Sequence, residues 1–148
     1  MEIISLGREI LFYEPSFIAE DLCSGLIKEL TWEKKKVFIY GKWWDQPRLV
    51  AYYGDKGTDY RYSNQTVTPR PWSSLLWELK NLVELASDHH FNSVLCNLYE
   101  DGHHRMGLHK DNEKELGNNP LIASLSFGAS RIFRFRQENK RVDLHLKS

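Results

Sequence analysis

Apolar residues recur at helical spacing in two stretches of the chain. Residues 19–30 place Leu22, Cys23, Leu26, Ile27 and Leu30 on one face, which predicts an amphipathic helix. Residues 71–86 place Leu75, Leu76, Leu79, Leu82 and Val83 together, and Pro71 suits a first helical turn. His89 and His90 follow that helix, where a histidine pair fits the C-terminal dipole better than a ligand role. Most of the remaining chain reads as short strands rich in β-branched and aromatic residues: 36–40, 49–53, 93–99, 122–127, 131–136 and 142–146. Helices early and many short strands later predict an α+β fold with a sandwich or jelly roll. Nothing reads as a repeat, a low-complexity run or a linker, so residues 1–148 are expected to form a single domain.

Length and composition agree with that expectation. A chain of 148 residues with 41% hydrophobic and 13% aromatic content has enough apolar surface for one core and is not a disordered type. Cys23 and Cys96 are far apart, outside any Cys-x-x-Cys pattern, so they imply neither a disulfide framework nor a zinc knuckle. Residues 1–17 carry Glu2, Arg8, Glu9 and Glu14 and do not read as a signal peptide; no membrane partner is expected. Formal net charge is zero, but the charge is segregated. Residues 33–70 hold eight Lys/Arg against four Asp/Glu, and residues 131–148 hold six against two. Such a polarised chain can present one basic face to a polyanion, or simply alternate in charge along its length.

Candidate chemistry centres on His109-Lys110-Asp111. On extended backbone an imidazole and a carboxylate two positions apart point to one side. They can supply two of the three protein ligands of a 2-His-1-carboxylate iron site. Taken alone, a His-x-Asp match also fits two solvated loop residues. Its surroundings are Gln46-Pro47-Arg48, Tyr53-Gly54-Asp55-x-Gly57, Tyr60-Arg61-Tyr62-Ser63, Pro69-x-Pro71-Trp72, Asn97-Leu98-Tyr99, Asp101-Gly102, Met106-Gly107, Ala123-Ser124-Leu125-Ser126-Phe127-Gly128-Ala129 and Arg131-x-Phe133-x-Phe135-Arg136. In that order these motifs resemble the AlkB family of Fe(II)- and 2-oxoglutarate-dependent dioxygenases, over about two thirds of the chain and closest to its DNA-repair branch.

The resemblance implies a double-stranded β-helix with N-terminal helices buttressing one sheet and the metal inside the mouth of its cavity. It implies Fe(II), O2 and 2-oxoglutarate as cofactor and cosubstrates, and His109 and Asp111 as the first two iron ligands, converging with Asn97 and Tyr99 on one hollow. Asn97 and Tyr99 match residues that hold 2-oxoglutarate; their alternative role is a buried polar pair in a core strand. Tyr62 matches the aromatic that stacks on a flipped base, Tyr60 a neighbouring polar contact, and Glu113 a residue near the base edge. Ile39-Tyr40-Gly41 occupies the position of an intercalating finger, and Arg48 and Lys42 would contact phosphate or the opposite strand. Ordinary packing across a sheet is the alternative for Tyr40, Tyr60 and Tyr62. His103 and His104 read as solvated loop residues, and Arg131, Arg134 and Arg136 as a solvated strand face.

The implied function is oxidative dealkylation of N-alkylated bases in DNA, releasing succinate, CO2 and formaldehyde. Alternatives are the same chemistry on RNA or protein, or a non-catalytic nucleic-acid-binding remnant. The chain departs from the family in one respect. The second histidine ligand and two following arginines lie on later strands, whereas this sequence ends at Ser148. His145 alternates with Val142, Leu144 and Leu146 and is expected to point outward with Asp143, which makes it a poor substitute. The expectation is a C-terminally truncated domain lacking its final strands, inactive towards 2-oxoglutarate and poorly soluble because sheet edges are bare. Alkylated DNA, with RNA as the alternative, is the expected partner of a monomer located in the cytoplasm, with the nucleoid in a bacterium, or in the nucleus of a eukaryote.

Overall fold

The protein is described by a computed structural model. It describes residues 1–62, 65–111, 114–117 and 120–147, apart from the side chains of Ile39, Arg61, Tyr62, Gln65 and Lys114. The chain forms two compact units, each with its own packing.

The first unit comprises residues 1–24, 108–110 and 124–148. It begins with a hairpin of β1 (Glu2–Leu6) and β2 (Glu9–Tyr13), which the apolar pattern did not predict. The order is therefore strands first, not helices first. Alternation is weak there, because Ile3, Ile10 and Phe12 remain exposed. A second hairpin is tied to the first by the Tyr13 hydroxyl, which donates to the His145 carbonyl (3.1 Å) and accepts from Lys147 N–H (3.3 Å). Its strands, β8 (Arg131–Gln137) and β9 (Lys140–Leu146), match the expected elements. His145 is exposed, as alternation predicts. Arg134 and Arg136 are exposed, as expected of a solvated strand face, and Arg134 together with Arg141 grips Asp143. Their guanidinium groups hold the Asp143 carboxyl well below its usual range.

The second unit comprises residues 25–107 and 111–123. Its centre is an antiparallel sheet in the order β3 (Glu33–Ile39), β4 (Lys42–Gly54), β7 (Ser93–Leu98). A small hairpin of β5 (Tyr60–Tyr62) and β6 (Gln65–Val67) lies between β4 and the long helix in sequence. Of the two predicted helices, α1 is shorter than expected, Cys23–Glu29, because the Asp21 carboxylate accepts from Cys23 N–H and starts the helix there. The other, α2 (Ser74–Ser87), starts where Ser73 caps it, its hydroxyl accepting from Leu76 N–H at 3.4 Å. Glu29 accepts from Leu75 N–H at 3.0 Å, which joins the end of α1 to the start of α2.

One face of the sheet carries the core. Ala51 and Tyr53 on β4, opposite Cys96 and Val94 on β7, pack with Leu26, Leu30, Trp32, Trp72 and Leu76. Burial pushes the Cys96 thiol up to about 12, against an ordinary thiol near 9. The sign follows from linkage: the unfolded chain ionises Cys96 first, so stability is lost as pH rises from about 9 towards 12. Cys96→Ala is expected to flatten that alkaline decline in urea melts taken across the range. An unchanged slope contradicts it.

The strand expected over 122–127 is absent. These residues have strand composition, but no ladder pairs with them among the described residues, and Ile122 is exposed. Strand propensity without a partner leaves backbone groups to water.

Candidate functional site

The second unit's sheet has another face, opposite the one that carries the core. Along β4, alternation places Gln46, Arg48, Val50 and Tyr52 there, and on β7 Asn97 lies opposite Val50 and Leu95 opposite Tyr52. Tyr99, one residue beyond β7, continues the Asn97 side of the alternation and is half-buried. Asn97 is exposed. Tyr60 joins this face through its ring, which meets the edge of Tyr52 at 4.7 Å. Three residues singled out by the sequence, Arg48, Asn97 and Tyr60, thus share one sheet face.

Arg48 is not an outward-reaching cation. It is 8% exposed and Gln46 is 4% exposed, and Arg48 Nε donates to Gln46 Oε1 at 3.3 Å. No carboxylate pairs with Arg48 among the described residues. Both side chains line a hollow of about 200 Å³, with Lys34, Asp45, Glu100 and His104 also on its wall. Lys34 engages Asp45 at 3.5 Å. Among the described residues this buried guanidinium is held by a neutral amide alone, which is costly unless an anion or water completes it.

Tyr60 is positioned by a turn the motif Tyr53-Gly54-Asp55-x-Gly57 explains. Gly54 lies against β7 so closely that a Cβ would come within 2.7 Å of the Asn92 carbonyl oxygen. Asp55 then anchors the turn: its carboxylate accepts from Trp72 Nε1 at 2.8 Å, and its carbonyl accepts from the Thr58 N–H and hydroxyl. The Tyr52 hydroxyl donates to the Thr58 carbonyl at 2.5 Å. Sequence reading missed Tyr52, although its period-two spacing from Arg48 was the signal that could have found it. Tyr52→Phe is expected to lower stability by about 1 kcal/mol and to loosen residues 55–60. Faster amide exchange over that segment, with α2 unchanged, is the measurement; uniform exchange contradicts it.

Tyr40 sits at the tip of the β3–β4 hairpin and is 99% exposed. Tyr40 (φ 50°) and Gly41 (φ 76°) form the two-residue turn, both left-handed. Gly41 takes that conformation freely, whereas Tyr40 does so against its Cβ. The turn thus holds an aromatic ring fully in solvent.

The metal-ligand expectation fares differently. His109 belongs to the first unit and Asp111 to the second, and both are exposed. No strand runs through 108–111, so the alternation argument for a shared side lacks its backbone. Neutral imidazole and carboxylate are suitable donors for Fe(II). Among the described residues, however, no three His, Cys, Asp or Glu side chains converge to hold a metal. Glu113 and the Tyr62 side chain lie outside the described residues. His103 and His104 are less idle than expected. Their backbone N–H groups both donate to Asp101, which holds that carboxyl below its usual range, and the His104 side chain lines the hollow beside Arg48.

Residues 11–148 match the family model described as the 2OG-Fe(II) oxygenase superfamily. The chain is 41% identical over 126 residues to mouse alpha-ketoglutarate-dependent dioxygenase alkB homolog 3, covering 84% of this chain and 42% of that protein. It is 40% identical over 126 residues to the cattle DNA oxidative demethylase ALKBH2, covering 83% and 45%. The Arabidopsis thaliana DNA oxidative demethylase ALKBH2 is 31% identical over 117 residues, covering 76% and 37%. The chain therefore spans less than half the length of these curated relatives.

Proposed function

The chain belongs to the 2OG-Fe(II) oxygenase superfamily, in its AlkB-like branch, and from that premise we propose that it serves oxidative dealkylation of N-alkylated bases in DNA. Membership implies a jelly-roll fold, Fe(II) and 2-oxoglutarate. The finer reading is a single domain over 1–148, a double-stranded β-helix in which α1 and α2 buttress one sheet. The observation that carries the function is the buried Arg48, without a carboxylate partner among the described residues, on the sheet face opposite the core, with Asn97 and Tyr60 on that face. A polyanion offers the charge that Arg48 lacks.

In this reading Arg48 meets phosphate from within the hollow. Asn97 and Tyr99 hold the carboxylates of 2-oxoglutarate. Tyr60, Tyr62 and Glu113 receive the extruded base, and Tyr40 fills the gap it leaves. His109 and Asp111 are two of the iron donors. Iron with 2-oxoglutarate supplies the O2 activation that side chains lack, and the products are succinate, CO2 and formaldehyde. The protein acts as a monomer in the compartment that holds its DNA, away from membranes.

The test supplies Fe(II), 2-oxoglutarate and O2 to the protein, together with an oligodeoxynucleotide bearing one N-methylated base. Formaldehyde in step with restored base is expected, and both are lost in His109→Ala and Asp111→Ala. Formaldehyde from a methylated peptide or RNA but none from DNA overturns the reading.

A further inference from the structure

Lys80 belongs to α2, which packs on the core side of the sheet, yet two chains of contacts lead from it to the turn that places Tyr60 on the other side. Its side chain is 11% exposed and its ammonium pairs with Glu84, 15% exposed, at 2.8 Å. The same ammonium stands 4.9 Å from the centre of the Trp77 ring and 5.7 Å from that of Trp72, within cation–π reach of both. The first chain runs through Trp72, whose Nε1–H donates to the Asp55 carboxylate at 2.8 Å. The second runs through Glu84, which accepts from Phe91 N–H at 2.7 Å; the carbonyl of the next residue, Asn92, accepts from Asp55 N–H at 2.8 Å. Lys80 and then the Phe91 N–H hold the Glu84 carboxyl down at about 2, so it stays ionised across the neutral range. Asp55 is thus held at its side chain and at its backbone by groups that both trace to one ammonium. Beyond it the Asp55 carbonyl binds Thr58, the Thr58 carbonyl binds the Tyr52 hydroxyl, and the Tyr52 ring meets Tyr60.

From this closed circuit we infer that Lys80 is a positioning residue for the base site: it fixes the turn at residues 55–60 and, through the turn, the ring of Tyr60. The inference rests on the reading of Tyr60 as a base contact. An ordinary i,i+4 ion pair on a helix surface contributes little and touches nothing beyond its own helix. This pair differs in two respects. It is largely withdrawn from solvent, where charges are screened less. Each partner also contacts a segment outside α2: Lys80 the ring of Trp72, Glu84 the backbone of Phe91. An apolar side chain at position 80 could fill the space between the indoles, but it could neither hold the Glu84 carboxylate nor attract the ring faces. Both arms that grip Asp55 would then slacken together. Arginine keeps the charge and stacks on aromatic faces, so it preserves both arms.

The experiment compares the full chain with its Lys80→Met and Lys80→Arg variants by two readouts. Amide exchange is followed over residues 55–60 and over the β4–β7 ladder. Affinity is measured for two oligodeoxynucleotides identical except for one N-methylated base. Lys80→Met is expected to speed exchange over 55–60 and leave the β4–β7 ladder unchanged, which reports an intact core. It is expected to lose about tenfold in affinity for the methylated oligomer, the scale of one misplaced stacking contact, and nothing for the unmethylated one. Lys80→Arg restores both readouts. Unchanged exchange over 55–60, equal loss for both oligomers, or no rescue by arginine overturns the positioning role. A parent that binds both oligomers equally fails the base-site reading instead, and the exchange readout then judges the hold of Lys80 on the turn by itself.

Discussion

Arg48→Met is expected to leave the unfolding free energy within about 1 kcal/mol of the parent while weakening single-stranded oligonucleotide binding by roughly tenfold to a hundredfold. The two effects part because Arg48 is buried without a carboxylate partner among the described residues. Folding takes its charge out of water and, among those residues, returns one bond, from Nε to Gln46. Methionine fills similar space without that cost, though Gln46 Oε1 then loses a donor. These terms oppose each other and nearly cancel. Binding has no such cancellation: a charge-assisted hydrogen bond to phosphate is worth about 1.5–3 kcal/mol, and methionine cannot make it. Urea unfolding and fluorescence anisotropy on the same preparation check both halves. A large loss of stability with affinity unchanged would make Arg48 a structural residue and remove the main support for a polyanion on this face.

Leu76→Ala is expected to behave in the opposite way, losing stability and affinity together. Leu76 is 5% exposed and belongs to the cluster that joins α2 to Ala51 and Tyr53 on β4. Removing a buried leucine side chain costs about 2–5 kcal/mol, from lost burial plus the cavity left behind. β4 carries core residues on one face and Gln46, Arg48, Val50 and Tyr52 on the other, so loosening the first disorders the second. A fall in the urea midpoint accompanied by weaker oligonucleotide binding is the expected pair. A midpoint within error of the parent would contradict the packing of α2 described here.

The sequence revealed the central elements because their patterns are local. The long helix was legible from Leu75, Leu76, Leu79, Leu82 and Val83, and Leu76 and Leu79 are indeed buried. Alternation identified β4 and β7, and with them the face that Asn97 shares with Val50. Pairing is a longer-range matter. Residues 122–127 have strand composition without a described ladder, and β1–β2 is a ladder in which Ile3, Ile10 and Phe12 stay exposed. The Tyr40 tip was legible only through the family resemblance, since strand composition ran through residues 36–40 and masked the turn at Tyr40 and Gly41. The burial of Arg48 was not, since charged side chains are seldom found inside. The placement of Tyr52 against Tyr60 depends on a turn at 55–58 that brings two strands together, which no periodicity encodes. His109 and Asp111 illustrate the converse: a motif legible in letters, on backbone that forms no strand to align it.

The central claim is that the face of the β3–β4–β7 sheet opposite the core receives an N-alkylated base. Photocross-linking tests it most directly, using a single-stranded oligodeoxynucleotide with one photoactivatable N-alkylated base and mapping the adducts by mass spectrometry. The account predicts adducts at Tyr52, Tyr60 or Asn97, reduced in Arg48→Met and competed away by N-methylated oligonucleotide. Adducts confined to α2 or to the β8–β9 hairpin, or competition by methylated peptide but not by oligonucleotide, would contradict it.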